Sequence, residues 1–411
     1  MSESKLTRGQ WFVLAAAFLG WMFDGVEMGL FPLIARPALQ DLMGVTADAK
    51  VGEWNGYLVA CFMLGAAGGG LVFGWLGDKI GRVRSMALSI LVYSGFTGLC
   101  YFAVQPWHLG ALRFLAALGM GGQWALGVAL VMECWPERHR PMLAGIIGAA
   151  ANVGFLLISV VGMLFAVTIE TWRPMMLAGA GPGLLALLII AFVPESQRWK
   201  ASIEHRRISP MREIFIPPLL GKTLLAIAVS SVPLIATWGA VSGFLPLWVD
   251  SMPGVHPHAK AEVQFILSIG TIIGCLFGSL LGHRLGRRPA YFVLCVLSLG
   301  FCGYLFRVLD TFNVEFMIVS CLVGIVSAAF YGWAPLYLPE LFPTRVRATG
   351  QGLSFNFGRI LAAAGAVTTG QLMAAFGGDY GRACATIALV YVIGMIVIWF
   401  GPETKGKPLP D

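Results

Sequence analysis

From Trp11 to Phe400 the sequence is an almost unbroken series of apolar runs divided by short polar breaks. About 20 mainly apolar residues cross the hydrocarbon core of a bilayer as a helix. Runs of that length, repeated along the chain, limit it to an all-α membrane protein with about twelve transmembrane helices. The expected spans are 11–35, 54–76, 84–104, 109–132, 142–168, 173–193, 222–250, 261–283, 289–308, 314–338, 349–375 and 379–400. Polar breaks at Glu170-Thr171-Trp172-Arg173 and Gly377-Gly378-Asp379 divide stretches that would otherwise run on. Composition agrees. The chain is 57% hydrophobic and 12% charged, whereas soluble domains carry about 25% charged residues.

The first run, Trp11 to Ala35, is too long for a signal-peptide core of about 7–15 residues, and no small-residue cleavage site follows it. It reads as a retained span. A net charge of +7 raises the question of nucleic acid. The basic residues, however, sit in short loops between apolar runs, where the positive-inside rule places them, so no nucleic-acid partner is expected. Most of the 28 Lys and Arg residues fall at the N-terminus and on every second loop, among them Lys5, Arg8, Lys79, Arg82, Arg84, Arg138, Arg140, Arg287 and Arg347. That bias puts both termini in the cytoplasm, requires an even number of spans, and suits a plasma (inner) membrane protein.

The eight cysteines lie mostly inside apolar runs and form no Cys-x-x-Cys pair. They read as packing residues, not as a disulfide frame or metal site. Gly221-Lys222-Thr223 resembles the end of a P-loop, but Ile216 stands where the first glycine is needed, so the phosphate cradle is missing. This argues against an ATP-driven pump. No nucleophile–base set or metal-ligand cluster points to an enzyme, and no cofactor is expected.

The two halves repeat. Gly81-Arg82 recurs as Gly286-Arg287, Glu133-x-x-Pro136-x-x-x-Arg140 as Glu340-x-x-Pro343-x-x-x-Arg347, and Pro194-Glu195-Ser196 as Pro402-Glu403-Thr404. Three motifs in one order at nearly one offset indicate two related six-helix bundles. Expected boundaries are 1–194 and 222–411, with 195–221 a cytoplasmic linker. Paired repeats build a central site that opens to alternate sides, so a monomer is sufficient.

Gly74-Trp75-Leu76-Gly77-Asp78-Lys79-Ile80-Gly81-Arg82-Val83-Arg84 resembles the signature loop of the major facilitator superfamily. Gly74 and Gly77 allow close backbone approach, Asp78 can bond a neighbouring helix end, and the basic residues face the cytoplasm. The resemblance implies a latch between the halves. In the second copy His283 stands where Asp78 does, which implies a weaker latch. Glu133-x-x-Pro136-x-x-x-Arg140, Pro194-Glu195-Ser196-x-Arg198-Trp199 and Pro402-Glu403-Thr404-Lys405-Gly406-Lys407 are similar to motifs of sugar porters and their organic-ion relatives. By that resemblance Gly74, Asp78, Lys79, Gly81, Arg82, Glu133, Arg140, Glu340 and Arg347 form a cytoplasmic gate.

Asp24-Gly25-Val26-Glu27 resembles the Asp-Gly-x-Asp motif of aromatic-acid and sialate proton symporters, with Glu in place of the second Asp. Three residues apart, Asp24 and Glu27 share a helix face. Asp24 lies about 20 Å along the helix from Trp11, inside the hydrocarbon. A carboxylate there is costly unless paired, wetted or protonated. It reads as a proton carrier, or as a polar anchor between helices. Arg113 opens the fourth span at a matching depth. It pairs with an ionised Glu27, or snorkels to the outer interface.

Arg359, in Asn356-Phe357-Gly358-Arg359, has no acidic neighbour in its own span. Organic-anion members of the superfamily carry an arginine in a similar Gly-Arg context. Arg359 is expected to receive a substrate carboxylate through paired hydrogen bonds, or else to pair with Asp24 or Glu27. Gln123, Tyr331, Trp333 and Asn356 are the favoured further substrate contacts, chosen from a wider set that includes Trp238. The reading is a proton-coupled symporter of a small organic anion, a carboxylate, working by alternating access. Its partners are protons, one small-molecule substrate and the bilayer. A neutral-sugar porter, a proton-antiport exporter and a non-transporting membrane sensor are the alternatives.

Overall fold

The computed structural model describes residues 6–44, 48–164, 168–203, 210–252, 254–255, 259–376 and 379–410, and among these no strand occurs. Helices follow from the solvent: inside a bilayer a helix satisfies every backbone donor and acceptor within one segment. Eleven helices among the described residues are long and apolar enough to cross a membrane.

The first half comprises α1 (Arg8–Met43), α2 (Asp48–Ile80), α3 (Arg82–Leu99), α4 (Pro106–Cys134), α5 (Arg140–Leu164) and α6 (Trp172–Phe192). The second comprises α7 (Leu219–Val241), α8 (Ala259–Leu285), α9 (Arg287–Val308), α10 (Val314–Leu341), α11 (Arg347–Ala375) and α12 (Tyr380–Phe400). The span expected at 349–375 is α11. At 29 residues it is long enough to cross, but it carries Arg347, Gln351, Asn356 and Arg359. Such a helix belongs inside the bundle, and it packs against α2, α7 and the second segment of α4.

Helix ends differ from the expected spans because polarity marks where lipid stops, not where the helix stops. α1 begins at a capping box: the Thr7 hydroxyl accepts from the Gln10 N–H at 3.3 Å, and Gln10 Oε1 accepts from the Thr7 N–H at 2.9 Å. α2 runs on to Ile80, where Gly81 turns the chain with φ of 109°. Gly286 repeats that turn before α9 with φ of 104°. Both conformations disfavour a Cβ, so the Gly-Arg repeat is a conformational requirement as well as a charge.

Four helices among the described residues are interrupted: α6 between Ala178 and Gly183, α12 at Leu389, and α4 and α7. α4 breaks at Gly121-Gly122 into Pro106–Met120 and Gln123–Cys134. A Cβ at Gly121 would collide with the Ala66 carbonyl oxygen of α2, so the two backbones are in contact there. α7 contains Pro233 and ends in a π-helical turn, Thr237–Val241, before continuing as Ser242–Ser251. The halves meet along two seams, α2 against α11 and α5 against α8 and α10.

Candidate functional site

Asp24 and Glu27 lie near the middle of α1, and the same face continues to Met28 and Phe31 at helical spacing. Glu27 is buried and ion-paired with Arg113 of α4. The Arg113 guanidinium is held between two rings, 4.5 Å from the Phe31 centroid and 4.6 Å from that of Phe62. At 1% exposure it does not snorkel outward.

Asp24 is fully buried, and neither carboxylate oxygen receives a hydrogen bond from any described residue. It lies within electrostatic range of Arg359 of α11 but forms no ion pair with it among the described residues. Arg359 donates from Nη1 to Asn356 Oδ1 at 3.0 Å. Its guanidinium sits 5.1 Å from the Phe355 ring and 5.8 Å from that of Trp21.

Arg113 and Arg359 line one cavity of about 130 Å³, with Met28, Phe31, Phe62, Met63 and Trp238 as its larger apolar walls. Small-molecule sites commonly combine apolar walls with a few placed polar groups. The wall residues were only partly legible. Met28 and Phe31 follow from the helical spacing of Asp24 and Glu27, but Phe62 and Met63 required knowing which face of α2 turns inward.

The other expected contacts are spread out. Tyr331 of α10 meets Phe355 edge-on at 6.4 Å, and Phe355 stacks on Trp124 at 4.2 Å, which forms an aromatic column beside Arg359. Gln123 opens the second segment of α4 and packs on Gly20 of α1. Its amide atoms have no hydrogen-bond partner among the described residues. Asn356 is buried and bonded to backbone carbonyls of both halves. Trp333 is remote from the cavity: its indole N–H donates to the Arg287 carbonyl at 2.9 Å, and its ring packs on Tyr291 and Tyr337.

A second cluster closes the end of the bundle that carries the termini. Asp78 accepts from the Thr349 N–H at 2.8 Å and hydroxyl at 2.6 Å, at the start of α11, and pairs with Arg82 at 2.9 Å. Gly74 lets α2 approach Ala348 of α11, where an added Cβ would stand 2.8 Å from the Ala348 carbonyl oxygen. Glu133 is shared by Arg82 at 3.0 Å and Arg347 at 2.9 Å. Arg82 also donates to the Thr344 carbonyl at 2.7 Å, so its guanidinium reaches the other half. Lys79 lies over the Trp75 ring at 4.6 Å.

The second copy is built differently. Arg287 grips Glu340 with two bonds of 2.9 and 2.6 Å, and Thr404 donates to the same carboxylate at 2.6 Å. Arg140, the counterpart of Arg347, pairs with Glu137 at 2.9 Å. In the polar segments after each half, Glu195 accepts from the Arg82 and Val83 N–H groups, both at 3.1 Å. Glu403 accepts from the Arg287 and Arg288 N–H groups, both at 3.0 Å. Burial pushes the Glu195 carboxyl above its ordinary range, with the N–H bonds only partly offsetting it. Burial acts the same way on Glu403, but bonds from the Arg287, Arg288 and Lys405 N–H groups outweigh it and hold that carboxyl below its ordinary range.

The sequence pattern of the Major Facilitator Superfamily matches residues 11–366. A sialic acid transporter of Escherichia coli is 27% identical, covering 96% of this chain and 94% of its own. A cis,cis-muconate transport protein of Acinetobacter baylyi is 27% identical, covering 95% and 94%. Among solved structures, the proton:xylose symporter XylE has a TM-score of 0.77 at 17% identity, with 98% of each chain covered, a likeness of fold.

Proposed function

This chain belongs to the major facilitator superfamily and is an integral membrane transporter, and we propose that it moves a small organic anion together with a proton. Arg359 carries this reading. It is a cation in the wall of a membrane cavity whose one hydrogen-bond partner among the described residues is an uncharged amide. A charged side chain at membrane depth costs about 2.5–3.5 kcal/mol on insertion scales, and sites of this kind mark substrate and ion pathways. A planar guanidinium with free N–H groups suits a carboxylate, which it grips with two parallel bonds. The relatives named above for sialic acid and muconate carry acids, which fits the same chemistry.

The protons are assigned to α1. Glu27 holds Arg113 when ionised, and its protonation releases that pair. Asp24 is a buried carboxyl without a hydrogen bond from the described residues, beside the anion's anchor. One proton and one monoanion together carry no net charge across the membrane. The halves, taken as 1–194 and 222–411 around a 195–221 linker, rock about the cavity, with the Asp78, Glu133 and Arg347 cluster as a cytoplasmic gate. Both termini are placed in the cytoplasm, and a single chain suffices.

The test is uptake by purified protein in liposomes with an inside-alkaline pH gradient and a panel of labelled carboxylates and sugars. Gradient-driven accumulation of a carboxylate, lost in Glu27→Gln and in Arg359→Ala, is expected. Accumulation of a neutral sugar that is insensitive to Arg359→Ala would overturn the reading and leave Arg359 a structural role.

A further inference from the structure

We infer that Asn356 is a positioning residue, through which contact between the two halves fixes the orientation of Arg359. Asn356 is 1% exposed, yet every hydrogen-bonding group of its amide has a use. Nδ2 donates to the Gly121 carbonyl of the first half at 2.8 Å and to the Gly352 carbonyl of its own helix at 3.0 Å. Oδ1 accepts from Arg359 Nη1 at 3.0 Å. A side-chain amide has two N–H donors and one carbonyl oxygen, so this pattern admits one orientation. Flipping the amide would set Oδ1 against two carbonyl oxygens and leave the guanidinium facing an N–H group.

The first half is shaped to receive this side chain. Gly121 lies at the break in α4, and carbonyls at a helix end lack an intrahelical partner. Gly70 of α2 stands on the other side, and an added Cβ there would collide with the Asn356 amide. Asn356 thus sits in a slot made by backbone of α2 and α4, while its oxygen steers the arginine of α11. When the halves part at this seam, the bond to Gly121 of α4 is lost, the amide keeps only the Gly352 carbonyl of its own helix, and the acceptor for Arg359 is held by one bond instead of two. The Arg359 guanidinium, which lines the cavity, is therefore held most firmly while this seam is closed. Linkage is reciprocal, so an anion bound to a correctly posed Arg359 favours closure of the seam. That functional meaning rests on the reading of Arg359 as the anion's anchor, whereas the positioning itself does not.

The experiment uses the full chain in detergent and p-hydroxyphenylglyoxal, an arginine-specific reagent, with labelling at each arginine read by mass spectrometry. Asn356→Ala is expected to label Arg359 about fivefold faster than the parent, the scale of one lost hydrogen bond. Arg113, which Glu27 holds, serves as the internal control and keeps its rate. Glu133→Gln, which loosens the same seam from the gate, should also speed labelling of Arg359. The double variant should show no further increase, because both changes act through one contact. Asn356→Ser, which retains a small hydrogen-bonding group, is the second variant if the alanine chain does not fold. Unchanged labelling of Arg359 in the folded variants, or equal acceleration at Arg113, would overturn the inference. If Arg359→Ala leaves carboxylate uptake intact while Asn356→Ala still speeds labelling, the positioning stands and the carboxylate reading falls.

Discussion

The two copies of the Gly-Arg motif begin with the same turn and end with different partners. In the first half, Arg82 and Glu133 extend across the seam to the Thr344 carbonyl and to Arg347. In the second, Arg287 and Glu340 close on one another and on Thr404, all within their own half. Asp78 reaches Thr349 of the opposite half, while His283, in the corresponding place, is exposed. One duplicated motif therefore supplies a bond between the halves in its first copy and a brace within a half in its second. Under the proposed alternating access, that division separates a bond that must break in each cycle from one that must hold.

The strongest way to break this comparison is Glu133→Gln. It removes the acid that two buried arginines share, and breaking a buried pair typically costs about 3–5 kcal/mol. Spin-label distances across the α2–α11 seam should shift to an open population, and gradient-driven uptake should fall at least about tenfold. Preserved distances would mean that Glu133 is no gate. Arg287→Ala also breaks a buried pair, within one half, and the loss of about 3–5 kcal/mol is expected to lower the melting temperature by several degrees while the seam distances stay unchanged. An opened seam in that variant would erase the distinction between the copies.

Asp78→Asn keeps one acceptor for Thr349 but removes the negative charge from the start of α11, worth about 0.3–1 kcal/mol, and from the buried pair with Arg82, which adds to it. A shift of a few-fold in the ratio of open to closed seam should follow, read by the same labels. The smallest effect is in pH. Glu195 binds its proton more tightly when folded than when unfolded, so its contribution favours the fold at low pH and is lost as pH rises through its raised folded value. Glu403 behaves oppositely: its contribution is full above the ordinary carboxyl value and is lost as pH falls below it. Infrared titration of ¹³C-labelled carboxyls should therefore show Glu195 protonating first on acidification. The reverse order would contradict the different balance of burial against N–H bonds in the two segments.

Much of the architecture is a local property. Apolar runs of bilayer length fix how many helices cross, and the Gly-Arg turns fix where α3 and α9 begin. Asp24 and Glu27 were legible as buried acids because their depth along α1 can be counted from Trp11. The roles of single polar residues were less so. Trp333 sits in an apolar run like any cavity residue, yet it braces the Arg287 carbonyl far from the cavity. Asn356 has the composition of a substrate contact, yet its amide is used on backbone. Nothing in the flanking residues separates these cases, since each depends on which helix lies opposite.

The sequence by itself determined an all-helical membrane protein of two related halves, because lipid forces each apolar run into a helix and a repeated motif order records duplication. Tertiary structure decided the pairings: Glu27 with Arg113, Glu133 with Arg347, and Asn356 with a carbonyl at a break in α4. These contacts join positions far apart in the chain. The Asn356 contact also needs Gly70 and Gly121, where helix backbones approach closely, and all three depend on how whole helices pack rather than on any local pattern.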